Sequence, residues 1–352
     1  SDLSAIADAY VRLVLAIGRH DEMYVDAYYG PREWKEEAAK GEPRPVPDLL
    51  REARELLTRL RAHEPSERRD FLEKQLVSAE GFLRRLSGEA MTLDQEARLL
   101  YDIDPPIHGV EEFEQARARV ESLLPGDTDL AARVKAFRDR FIVPPDRLDT
   151  VVRNCLEVAR KKTVESVALP QGEAFRVSFV KGKPWGAYNW YEGNLTSLIE
   201  VNTDLPIELG RILDTLAHEG YPGHHTYNAL LEEKLVRGKG WREFTVYALY
   251  SPQSVVAEGT ANAGLSIVMS DPEKLAVLRD LAPLAGLDGR DLERYQAVRE
   301  AMRSFRFVRG EAARTLLDQG GADDEAARFI ARYSLEEEAR AKKGVDFIRA
   351  YR

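Results

Sequence analysis

A regular helix cannot run through the stretch LAHEGYPGHHTYN, residues 216–228. Gly220 and Gly223 each disfavour a helix interior by about 1 kcal/mol relative to alanine, and Pro222 by about 3 kcal/mol. Pro222 also has no N–H to offer the carbonyl of His218, and its ring crowds that same carbonyl. The combined penalty, on the order of 5 kcal/mol, is a large part of a domain's net stability. The chain must therefore bulge or unwind between Glu219 and Gly223, and irregularities of this kind gather at functional sites.

Three of the chain's six histidines flank this irregularity. His218-Glu219 opens as HExxH does, but Pro222 stands where the second histidine belongs, and His224 and His225 arrive late. On an ideal helix two zinc-binding histidines stand one turn apart, and the glutamate after the first serves as general base. His218 and His224 are six residues apart. On a straight helix their directions would differ by about 120°. His218 and His225 would share a face but lie roughly 10 Å apart along the axis. If two residues of the Gly220–Pro222 stretch loop out, His224 takes the missing histidine's place. His225 then points elsewhere, since adjacent residues on a helix point about 100° apart. A ligand role, support of a ligand, contact with a substrate, and packing are open to it, with substrate contact and packing favoured.

A third ligand is available in YSPQSVVAEGTANAGLSIV, residues 250–268. Ser251-Pro252 starts a helix, and Glu258 is a lone carboxylate among Val255, Val256, Ala257, Ala261 and Leu265. Burying it without a cation is costly. Two histidines and a glutamate around one zinc, with a water in the fourth position, is the thermolysin-type arrangement. Asn262, one turn after Glu258, is placed to hydrogen-bond a ligand histidine.

Composition narrows the class. A chain of 352 residues can bury a sizeable core, and 44% hydrophobic with 32% charged residues reads as a soluble globular protein. A net charge of -9 argues against a nucleic-acid partner, which needs a basic face. The one cysteine, Cys155, allows neither an internal disulfide nor a cysteine zinc cluster. Its helical spacing with Leu148, Val151, Val152 and Val158 makes it a buried thiol. No apolar run approaches the ~18 residues of a membrane span. No secretory leader is visible, so the expected location is cytoplasmic; the chain begins Ser-Asp, which leaves a removed leader open.

Residues 1–168 have helical period almost throughout and read as a helical N-terminal region. VPDLLREARELLTRLRAH sets Leu49, Leu50, Ala53, Leu56, Leu57 and Leu60 on one face, and the next helix, after Pro65-Ser66, pairs with it. Thr92-Leu-Asp-Gln95 is a capping-box start. Residues 169–352 form the expected catalytic region, continuous with the first as one globular unit. There 176–181, 185–191 and 195–202 are short and rich in β-formers, separated by Gly182-Lys183-Pro184 and Glu192-Gly193-Asn194. They read as a small antiparallel meander. Thr203 or Asp204 then caps a helix with Pro206 in its first turn and Leu209, Ile212, Leu213 and Leu216 inward. After Gly238-Lys-Gly240 helices return and continue to Arg352.

TLAHEGYPGHHTYNALLEE, with GNLTSLIEVNTDLP before it and VVAEGTANAG after it, resembles the bacterial domain-of-unknown-function family number 885. Members of that family carry HExxPGHH and look like gluzincin metallopeptidases. GRHDEMYVDAYYGP near the start is also similar. The Gly223-His224 pair resembles the end of the zinc motif in neurolysin-like oligopeptidases and Taq-type carboxypeptidases. The resemblance implies a mainly α, helix-rich, zincin-like fold with its small sheet beside the helix carrying His218-Glu219. It implies one zinc per chain on His218, His224 and Glu258, with Glu219 as general base. Asn262 departs from the aspartate often found one turn after the third ligand.

The expected activity is metal-assisted hydrolysis of a peptide. The strand at 195–202 precedes the active helix, where zincins place the edge strand that pairs with extended peptides. A zinc amidohydrolase for a small non-peptide amide is the second reading, and a zincin scaffold that binds without turnover is the third. Glu219 speaks against the third, because a binding scaffold needs no base. His20, His63 and His108 read as structural. There is no GxSxG, no phosphate-binding GxxxxGK[ST] and no CxxC.

Overall fold

The computed structural model describes residues 2–183 and 185–350. The chain opens with α1 (Asp2–Ile17), β1 (Val25–Tyr28), α2 (Arg32–Ala39) and α3 (Val46–Arg61). Next come α4 (Glu67–Leu86), α5 (Leu93–Tyr101), α6 (Val110–Leu123), α7 (Leu130–Asp139) and α8 (Leu148–Val164). The strands β2 (Ala174–Val180), β3 (Ala187–Gly193) and β4 (Thr196–Asn202) precede α9 (Leu209–Glu219) and α10 (His224–Leu231). Then follow β5 (Val246–Ala248), α11 (Pro252–Val268), α12 (Asp271–Leu284) and α13 (Leu292–Ala301). The last helices are α14 (Val308–Asp318), α15 (Asp323–Ser334) and α16 (Glu338–Ala350). The protein is mainly α with two small sheets. Among the described residues, no helix is long and apolar enough to cross a membrane.

The chain forms two compact units that are not consecutive halves. One comprises Ser1–Asp104, Arg153–Leu205 and Leu213–Ser270; the other comprises Pro105–Val152, Pro206–Ile212 and Asp271–Arg352. The division expected near residue 168 marks where strands begin in the sequence, whereas the units follow packing and cut across it.

In the first unit, α3 presents Leu49, Ala53, Leu56, Leu57 and Leu60 to the core, while Leu50 stays partly exposed. It packs on α4, whose first turn is capped by the Ser66 hydroxyl accepting from the Arg69 N–H at 3.2 Å. Thr92 and Gln95 form the expected capping box on α5. Helix α1 lies in the middle of this core, with Ile6, Tyr10, Val14 and Ile17 essentially inaccessible. In the second unit, Phe141 stacks on Tyr295 at 4.1 Å between ring centres. Glu208 accepts from the Tyr295 hydroxyl at 3.0 Å and is clasped by the Arg138 guanidinium.

The sheet at 174–202 is not a meander. Its order is β2-β4-β3, with β2 parallel and β3 antiparallel to β4. Gly193, Asn194 and Leu195 all have positive φ, and this tight turn closes β3 onto β4. The buried strand is β4, with Ser197, Ile199, Val201 and Asn202 inside. Its backbone groups need partners on both edges, so β2 takes the far side. The strand expected to be a free edge for a peptide is therefore the central one. Part of the expected turn, Pro184, lies outside the described residues, as do Tyr351 and Arg352.

The start of α9 also differs from expectation. Thr203 and Asp204 close the sheet instead of capping the helix: the Thr203 N–H donates to the Val180 carbonyl, and Asp204 accepts from the Gly182 N–H at 2.6 Å. Pro206 precedes the helix, which begins at Leu209.

A buried ion pair holds the turn before β5 against α4. Arg68 forks onto the fully buried Glu243 carboxylate at 2.6 and 2.9 Å. Arg68→Ala strands that carboxylate and should cost about 3–5 kcal/mol in urea unfolding, whereas replacing both residues by apolar ones of similar size should recover most of the loss.

Candidate metal centre

Helix α9 ends at Glu219 and α10 begins at His224, so the interruption is a complete break between two helices, not a bulge within one. The Gly220 N–H makes the last regular bond, to Leu216 at 2.8 Å, and the Gly223 N–H reaches back to the Ala217 carbonyl at 2.9 Å. Between them the Tyr221–Pro222 peptide is cis. A Cβ on residue 223 would lie 1.8 Å from the His218 carbonyl oxygen. Only glycine can pass there. Pro222 is tolerated because the helix whose hydrogen bond it would break has already ended.

The break brings His224 beside His218. Their Nε2 atoms are 3.0 Å apart. The Glu258 carboxylate, on α11, reaches His224 Nε2 at 3.2 Å and His218 Nε2 at 3.6 Å. Ser251 caps α11, its hydroxyl accepting from the Ser254 N–H at 3.3 Å. Asn262, one turn beyond Glu258, hydrogen-bonds His218. Glu219 completes the group: ligand-type atoms of His218, Glu219 and His224 lie within 4.8 Å of one another. Glu219 is buried, and its backbone carbonyl accepts from the Asn189 side-chain amide at 2.7 Å.

The electrostatics of these groups are coupled. Burial pushes the Glu219 carboxyl up to about 7; the positive charge of His224 works against this, while Glu258 and Asp26 add to it. Burial, then the neighbouring His224, holds His218 below the ordinary imidazole value. Burial opposes charging of His224 as well, but its bond to Glu258 and the nearby Glu219 and Asp26 leave it raised. The Glu258 carboxyl is lowered, chiefly by the bond from His224 and in spite of burial. The cluster thus favours holding a positive charge between the histidines and Glu258.

The residues present suit zinc. Two donors on one tetrahedral zinc, each at about 2.0–2.1 Å, lie roughly 3.3 Å apart. The separations here, 3.0, 3.2 and 3.6 Å, bracket that value. The three side chains are half-buried to mostly buried, with Glu258 the most open at 51% exposure.

His225 turns away from this group and is fully buried. Its Nδ1 pairs with the Ser197 hydroxyl at 2.8 Å and its Nε2 with Glu173 at 2.9 Å. Glu173 also accepts from the Tyr221 hydroxyl at 2.5 Å and from Arg160 at 2.9 Å. With no exposed surface, His225 has no route to a substrate; it fastens α10 to β4 and to the segment before β2. Sequence reasoning missed Glu173, Asn189 and Asp26. Asp26 does carry a signal, an acid inside the strand-like VDAYY within GRHDEMYVDAYYGP. Its carboxylate accepts a hydrogen bond from Tyr188 of β3. Burial raises its pKa, against the help of Tyr188 and His224.

The other histidines are engaged elsewhere. His20 pairs with the Arg44 carbonyl at 2.7 Å, His63 with Asp2 at 3.2 Å, and His108 with Glu112 at 2.8 Å while stacking on Phe307. Cys155 is buried and unpaired, with its thiol pushed up to about 12 by burial.

No protein-family model and no curated protein matches the chain. Among solved structures, the crystal structure of the "putative lipoprotein" from Colwellia psychrerythraea is similar, at 14% identity and a TM-score of 0.49. The match covers 86% of the present chain and 56% of that one, so the chain spans little more than half of its length. A likeness of this size assigns neither fold family nor function.

Two outcomes test the geometry. Gly223→Ala forces the backbone off the His218 carbonyl, so the protein should lose zinc binding by at least about 100-fold in a competitive chelator titration, or fail to fold. His224→Ala should likewise abolish tight zinc binding. His225→Ala should lower the unfolding midpoint while weakening zinc by no more than about tenfold.

Proposed function

We propose that the chain is a zinc-dependent hydrolase with a zincin-like catalytic unit, acting on peptide bonds, one zinc per chain. The observation that carries this is the convergence of His218, His224 and Glu258 at separations suited to one tetrahedral ion, with a buried carboxylate, Glu219, beside them. The resemblance to family number 885 belongs to the same proposal.

Zinc held there would supply a Lewis acid for the scissile carbonyl and would acidify a water. The remaining work belongs to this chain's own residues. Glu219 accepts a proton from the attacking water and returns it to the leaving amine. Asn262 fixes the orientation of His218 through its hydrogen bond. Asn189 holds the backbone of Glu219 and so aims the base. Burial raises the Glu219 carboxyl to about 7 and so opposes its ionisation. Glu219 would be kept ionised at neutral pH beside a bound dication. A scaffold that only binds has no use for a carboxylate maintained at this expense. Because β4 is paired on both sides, the peptide assignment rests on this chemistry and not on an edge strand.

Glu219→Gln separates base from ligand. The variant should retain one zinc per chain by metal analysis, while hydrolysis of a peptide library, read by mass, falls about 10²–10⁴-fold. Loss of zinc would make Glu219 a ligand, and unchanged turnover would remove it from the mechanism. A wild-type protein that takes up no zinc would sink the proposal; one that cleaves only small amides would redirect it to an amidohydrolase.

A further inference from the structure

Glu173 stands immediately before β2, where the sheet fixes its backbone. β2 runs parallel to β4, and the Ala174 N–H donates to the Leu195 carbonyl at 3.1 Å. The Glu173 side chain is 2% exposed and meets the break between α9 and α10. One of its oxygens, Oε2, serves both sides of that break. It accepts from the Tyr221 hydroxyl at 2.5 Å and pairs with His225 Nε2 at 2.9 Å. Tyr221 comes before Pro222, and His225 is the second residue of α10. The other oxygen, Oε1, takes the Arg160 guanidinium of α8 at 2.9 Å, which keeps the carboxylate from turning. Phe175 fills the space beside it, its ring centre 4.9 Å from that of Tyr221 and 5.0 Å from that of His225.

Regular helical hydrogen bonding stops at the Gly220 N–H and resumes at the Tyr227 N–H, which donates to the Gly223 carbonyl at 2.9 Å. Between these points the angle of the two helices is left largely to side chains, yet donors around a metal must be placed to about 0.5 Å. His224 opens α10 directly after the break, so any play there moves its Nε2 against that of His218, 3.0 Å away. Glu258 depends on the same turn: α11 passes Pro222 so closely that a Cβ on Gly264 would lie 2.9 Å from the proline ring. A contact that served stability alone could grip one helix. A single oxygen shared across the break fixes the two helix ends against each other.

We propose that Glu173 is a positioning residue for the candidate metal centre: the oxygen it shares between Tyr221 and His225 holds His224 at coordinating distance from His218. The inference rests on the metal site of the hydrolase reading and extends it to a residue that touches neither metal nor substrate.

Zinc affinity of the full chain is measured by competitive chelator titration, beside urea unfolding and the visible absorption of the cobalt-loaded protein, whose band intensity reports tetrahedral coordination. Glu173→Ala should weaken zinc about 10- to 100-fold and reduce the cobalt bands. Glu173→Gln, which can still hydrogen-bond both partners, should restore binding to within about threefold of the wild type. Arg68→Ala is the stability control: it unfolds at lower urea but shares no partner with Glu173, and should keep zinc affinity within about twofold. If Glu173→Ala does not fold, Tyr221→Phe decides in its place; it opens half of the clasp, keeps the ring, and should weaken zinc about threefold to tenfold. Unchanged zinc affinity and cobalt bands in the deciding variant, a Glu173→Gln as weak as Glu173→Ala, or an Arg68→Ala as weak as either overturns the proposal. A wild type that binds zinc but cleaves no amide sinks the hydrolase reading alone. One that binds neither metal sinks both.

Discussion

The close approach of residue 223 to the carbonyl of His218 governs everything around the candidate centre. A side-chain carbon at that position would overlap the oxygen, and a straight continuation would carry His224 away from His218. The Gly223 N–H, which would otherwise be stranded at the helix end, finds the Ala217 carbonyl. The turn is thereby hydrogen-bonded as well as sterically permitted. Two helices, each ordinary in itself, meet at an angle no single helix could provide.

A second layer of contacts keeps the later helix where the turn delivers it. His225 is held at both ring nitrogens, by Ser197 of β4 and by Glu173, and Glu173 is held in turn by Tyr221 and Arg160. Burial works against the Glu173 charge, yet these three hydrogen bonds leave its carboxyl below the ordinary value. The order Ser197, His225, Glu173 has the connectivity of a nucleophile relay. Ser197 is 1% exposed, however, so no substrate reaches its hydroxyl. The adjacent histidines have opposite duties: His224 faces the candidate metal, and His225 anchors the backbone that carries it.

The centre concentrates negative charge from three different elements: Glu219 at the end of α9, Glu258 on α11 and Asp26 in the bulge of β1. Such a cluster is unfavourable in isolation and becomes favourable with cations. Burial, more than neighbouring charge, raises Glu219 and Asp26, whereas the bond to Glu258 and the nearby Glu219 and Asp26 leave His224 raised in spite of burial.

Local chemistry was readable from the residues alone. The helical faces of α3 and α4, the capping box at Thr92 and the Ser251 start of α11 follow from short-range rules of spacing and hydrogen bonding, and the structure contains all of them. So does the interruption after Glu219, because proline and glycine act within a turn of their own position. Strand order did not follow, since pairing β4 on both sides is decided by how deeply that strand is buried, a property of the whole unit. The caps expected at Thr203 and Asp204 went to the sheet for the same reason. Nor could the sequence place Asp26 against Tyr188, 162 positions away, or Glu173 against His225, 52 positions away. Spacing along a helix is a local length, whereas the meeting of β1, β3, α9 and α11 is set only when their buried faces pack.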